Sequence, residues 1–102
     1  MSDIRESHKA LVRRILQGAG EASPAERLAA FNDEGLPEPL QSLVDKVSAD
    51  AYRVTQEDIN SAIGSGLRED QVFEIVVCAA IGQASRQYET AFAALDAASE
   101  RT

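Results

Sequence analysis

Val72-Phe73-Glu74-Ile75-Val76-Val77-Cys78-Ala79-Ala80-Ile81-Gly82-Gln83-Ala84 is the stretch on which the fold turns. Only Glu74 and Gln83 interrupt its apolar character. Val76-Val77 alone suits a strand, but alanines follow and no turn residue intervenes, so the run reads as helix. Glu69-Asp70 supplies negative charge where a helix begins, and the helix is predicted over about 69–99. A helix that is apolar nearly all round must be covered on most sides. Thirty-one residues at 1.5 Å each span about 46 Å, whereas a 100-residue globule has a radius of gyration of about 13 Å. The helix is therefore expected either to bend, near Gly82, or to be covered by another chain, and self-association is the preferred reading. Tyr88, Phe92 and Leu95 continue the apolar positions with alanines between them, and small residues allow helices to approach closely.

Four shorter helices precede it. Ile4, His8, Leu11, Val12, Ile15 and Leu16 fall on one face of a helix over 3–17. Ser2 is its expected cap, Asp3 and Glu6 suit the helix dipole, and Gly18 and Gly20 offer a left-handed stop. Ser23-Pro24-Ala25-Glu26 is a capping box with proline at the first helical position. It opens a short helix carrying Leu28 and Phe31, which ends near Asn32-Asp33-Glu34-Gly35. Leu36-Pro37-Glu38-Pro39 reads as a rigid extended joint. Leu40, Leu43, Val44, Val47 and Ala51 mark the third helix. Thr55 caps a brief fourth helix through Ile59, Ala62 and Ile63, closed by Gly64 and Gly66. No strand pattern of useful length and no repeat is present. The expectation is an all-α single domain of five helices over residues 1–102.

Composition excludes more than it assigns. One hundred and two residues make one small domain. Ten Lys and Arg against seventeen Asp and Glu leave a net charge of −7, which argues against nucleic acid as a partner. One cysteine and one histidine permit no internal disulfide and remove most metal constellations. No cofactor and no metal site is expected. The longest apolar run, residues 75–82, is far short of the roughly 18 residues that cross a bilayer. The first residues lack the apolar core of a signal peptide. A cytoplasmic location is expected, where a single thiol stays reduced.

The chemistry-bearing residues are few. Cys78 lies mid-helix among valines and alanines, far from the cationic or helix-start setting that activates a thiol. His8 sits on the apolar side of its helix. Gly64-Ser65-Gly66 has neither the preceding strand nor the lysine of a phosphate loop. Glu57-Asp58 and Glu69-Asp70 stand at helix starts, where acids are expected anyway. Tyr52 and Arg53 end the third helix, with Asp45 and Lys46 one to two turns earlier, and form the one candidate binding cluster.

Three segments follow in a recognisable order: Leu43-Val44-Asp45-Lys46-Val47, Ala51-Tyr52-Arg53-Val54-Thr55, and Gly66-Leu67-Arg68-Glu69-Asp70-Gln71-Val72-Phe73-Glu74-Ile75. The order resembles the alkylhydroperoxidase D and carboxymuconolactone decarboxylase superfamily over about residues 40–95. The resemblance implies a short helix, a Gly-Leu turn and a long alanine-rich helix, in an obligate oligomer that is often a trimer or hexamer. It also implies a Cys-x-x-Cys pair and a histidine in the peroxidase branch. Aligned from Gly66-Leu67, those positions hold Ala51, Val54 and Asp58. The activating glutamate position falls on Pro39, with Glu38 beside it. Alanine and valine supply no thiolate, so no disulfide relay can run here. The decarboxylase branch uses basic residues including histidine, of which this chain offers Arg53 alone.

Two functional expectations follow. One is a non-peroxidatic oligomeric binding or assembly protein that pairs with itself or a related subunit. The other is a lyase or isomerase on a small organic acid, with Arg53 holding a carboxylate and Asp58 or Asp45 moving a proton.

Overall fold

The apolar run is buried as its composition requires. In a computed structural model that describes residues 2–100, with side chains from Ile4 onward, α1 (Ser2–Gln17), α2 (Pro24–Asn32), α3 (Leu40–Asp50), α4 (Gln56–Gly64) and α5 (Glu69–Glu100) make an all-α fold. A 3₁₀ turn, Ala51–Arg53, extends α3. No strand occurs among the described residues. Val72, Ile75, Cys78 and Ala79 of α5 meet Leu40, Leu43 and Val44 of α3, Ala30 of α2 and Ala62 of α4 in one core. The cap expected from Ser2 lies outside the described side chains.

Both internal caps form. The Ser23 hydroxyl accepts from the Glu26 N–H, and the Glu26 carboxylate accepts from the Ser23 N–H. Thr55 and Asp58 make the same reciprocal pair at α4. Each pair satisfies two N–H groups that a helix start leaves open.

Three local expectations are corrected. Gly18 and Gly20 are not left-handed; the positive φ values belong to Gly35, Gly66 and Asp33. Gly18 instead continues the helical pattern, its N–H donating to the Arg14 carbonyl. The joint after α2 is no extended strut. It turns at Glu38-Pro39, across a cis peptide, and the Pro37 carbonyl accepts from Leu40 and Gln41. Finally, α5 does not break at Gly82. It runs unbroken for 32 residues, and the molecule is correspondingly drawn out, 55 Å long with a radius of gyration of 15.5 Å.

Gly82 serves a different purpose. There α2 crosses α5 so closely that the Phe31 carbonyl occupies the space a Cβ would need. Arg86, one turn later, donates to the same carbonyl at 2.7 Å and closes the C-terminal end of α2. At the other end of α2, the Glu74 carboxylate accepts from the N–H groups of Glu21 and Ala22 at 2.7–3.0 Å. The acids and bases of α5 thus hold both ends of α2.

Helix α1 runs antiparallel to the second half of α5. His8 stacks on Tyr88 with ring centroids 4.2 Å apart. Arg5 lies over the Phe92 ring and pairs with Asp96 at 2.9 Å. Arg27 of α2, only 5% exposed, donates to the Ile15 carbonyl at 3.0 Å and so satisfies the end of α1.

Candidate functional site

The residues singled out in the sequence do not converge. Tyr52 is 85% exposed. Arg53 is exposed too, and its nearest acid is Asp50 at 3.7 Å, within the same turn. Asp58 pairs with Lys46 at 2.9 Å while capping α4. The Lys46 ammonium foremost, and then the Thr55 N–H, hold the Asp58 carboxyl below the usual carboxylate range. That pair is a strut between α3 and α4. Asp45 faces the other way, towards the link between α2 and α3.

There the Gln41 side-chain amide bridges two carboxylates, donating to Asp45 at 2.7 Å and to Asp33 at 3.3 Å. Its oxygen accepts from the Leu36 N–H at 3.0 Å. Burial, followed by the hydrogen bond and charge of Asp45, pushes Asp33 up. The hydrogen bond from Asp33 and then that from Gln41 pull Asp45 down. Two acids sharing one site divide in this way because both cannot ionise freely. The cluster fixes the joint between α2 and α3.

Of the aligned cysteine positions, Ala51 opens the 3₁₀ turn and Val54 follows it. Cys78 lies elsewhere, 1% exposed, and burial pushes its thiol up. Among the described residues no group of three or more His, Cys, Asp or Glu is placed to hold a metal ion. No helix there is long and apolar enough to cross a membrane.

A concavity of about 750 Å³ lies elsewhere, between α1, α2 and the middle of α5. Val12, Leu16 and Phe31 supply its apolar wall, and Lys9, Arg13 and Arg86 its cations. Sequence reading missed it because it is assembled from three helices. A partial signal was present: Lys9 and Arg13 stand four apart, on the same side of α1.

A second surface feature follows α5 itself. Phe73, Val77, Ala80, Ala84, Gln87, Ala91 and Leu95 recur at spacings of three or four. That spacing puts them on one face of the helix. Phe73 is 67% exposed and Leu95 52% exposed, and the alanines between them are open. Compared with protein-family models, with curated proteins and with solved structures, the chain matches none.

Proposed function

We propose that this chain is a non-peroxidatic, self-associating binding or assembly protein of the alkylhydroperoxidase D and carboxymuconolactone decarboxylase kind. The observation that carries the reading is the uncovered α5 face. It runs from Phe73 to Leu95 with Gln87 as its one polar member, along a helix of 32 residues. A periodic apolar face of small residues is suited to a second helix laid against it. Helix order supports the family resemblance: α3, a short α4, the Gly66-Leu67 turn with Gly66 at φ 107°, then the long α5. Ala51, Val54 and Asp58 supply no redox chemistry, and Asp58 is committed to Lys46.

The proposed partner is a second copy of the chain, in a trimer or hexamer, or a related subunit. The single thiol supports a cytoplasmic location. Native mass spectrometry and light scattering test the assembly. The expected mass is a multiple of 11.0 kDa, and Ala84→Glu with Ala91→Glu reduces it to the monomer. A wild-type monomer up to millimolar concentration overturns self-association. Peroxide reduction above the rate of a free thiol overturns the non-peroxidatic assignment.

A further inference from the structure

The groove between α1, α2 and α5 has a chemical character at odds with the rest of the molecule. Lys9, Arg13 and Arg86 face Glu89 alone among acids lining it, so its charge is three minus one, or +2, in a chain of net −7. Neither Lys9 nor Arg13 has an ion-pair partner among the described residues. Arg86 spends donors on the Phe31 carbonyl and on Gln83, and a guanidinium has five. Ser85 lines the groove at 7% exposure, and its hydroxyl has no hydrogen-bond partner. A buried hydroxyl left unpaired is unfavourable. The antiparallel pairing of α1 with α5 puts Ser85 beside Lys9 and Val12, with Leu16 and Phe31 further along the groove.

We propose that this groove binds an amphiphilic monoanion: a carboxylate head on an unbranched apolar tail. The head sits between Lys9 and Arg13 and accepts from the Ser85 hydroxyl. The tail lies along Val12, Leu16 and Phe31. A volume of about 750 Å³ is within the range of small-molecule sites, about 300–1,000 Å³. Charge decides the head, because an anion gains the attraction of two cations at the rim that a neutral ligand forgoes. The groove residues Ser85, Arg86 and Glu89 are turned about 100–160° around α5 from Ala84 and Ala91. Binding therefore does not depend on the assembly proposed above, and the two fail separately.

Isothermal titration of the full chain with decanoate, kept below its micelle concentration, tests the site against decanol and acetate. Decanoate is expected to bind at least tenfold more tightly than either. Lys9→Ala with Arg13→Ala, both on the exposed face of α1, is expected to remove that preference over decanol and leave the melting temperature unchanged. Val12→Trp, which fills the groove, is expected to abolish binding of decanoate. No decanoate binding by folded wild-type protein overturns the proposal. So does decanol binding as tightly as decanoate, or decanoate binding that survives both the double variant and the Trp variant.

Discussion

The Phe31 carbonyl oxygen lies where a Cβ on residue 82 would have to be. Gly82 is therefore the point at which α2 and α5 touch backbone to backbone. In an open helix interior, Gly→Ala stabilises by about 1 kcal/mol. At this crossing the sign reverses, because a main-chain atom cannot swing aside as a side chain does. Gly82→Ala is expected to destabilise by about 1–3 kcal/mol, read as a lower urea midpoint at unchanged slope. A stabilised variant would mean that the helices separate freely.

Glu74 is the one carboxylate within the apolar run, and its place follows from the loop before α2. It accepts from Glu21 and Ala22, and a Cβ on Gly20 would meet its Oε1. Charge-assisted bonds of this kind contribute about 1.5–3 kcal/mol each to stability. Glu74→Ala is expected to cost about 2–4 kcal/mol on that scale, and Glu74→Gln less, because one acceptor oxygen remains. Equal losses in the two variants by chemical denaturation would show that the charge and second oxygen of the carboxylate, not its bulk or a single acceptor, are what Glu74 supplies.

Asp33 gives a pH-dependent prediction of unusual sign. Its carboxyl is pushed up by burial first and by Asp45 second, so the folded state binds its proton more tightly than the unfolded chain does. Its contribution to stability therefore rises as pH falls from above the folded pKa towards about 3.9, the unfolded value. Asp45, pulled down, contributes with the opposite sign, and loses its share only as pH falls through its own folded value. Asp33→Asn keeps a residue that tolerates φ 57° and removes the buried charge. It is expected to raise stability at pH 7, with the gain shrinking towards pH 4. A gain that instead grows with acidity refutes this account.

Asp58 titrates in the conventional direction. Lys46 foremost and the Thr55 N–H hold its carboxyl down, so its contribution is present above about 3.9 and is lost as pH falls through the lower folded value. Asp58→Asn is expected to lower the melting temperature at pH 7 and to flatten the acid limb of the stability curve. Lys46→Met should flatten the same limb by less, because the Thr55 contact remains. An unchanged acid limb in both would remove the strut from the account of α3 and α4.

The local features were the legible ones. Ser23, Pro24 and Glu26 announce α2, and Thr55 with Asp58 announces α4, because a cap is written within four residues. The covered face of α5 was readable from residues 72–84 for the same reason: periodicity is local. What could not be read depends on residues some fifty positions apart. Gly82 looks like a hinge until Phe31 is placed against it. Glu74 looks like an interruption until Glu21 and Ala22 arrive. Lys9, Arg13 and Ser85 are unremarkable singly, and become a charged groove only when α1 folds back along α5. Tyr52 and Arg53 drew attention in the sequence by residue type, and both turn outward.

Glu74 holds one end of α2, Gly82 and Arg86 the other, and all three belong to α5. During synthesis, α1 and α2 are therefore made before the residues that fasten α2 to α5. Until residue 74 has been added the Ala22 N–H lacks its carboxylate, and until residue 86 has been added the Phe31 carbonyl lacks its guanidinium. A chain stalled before residue 74 would carry α2 with neither end held, a segment open to proteases.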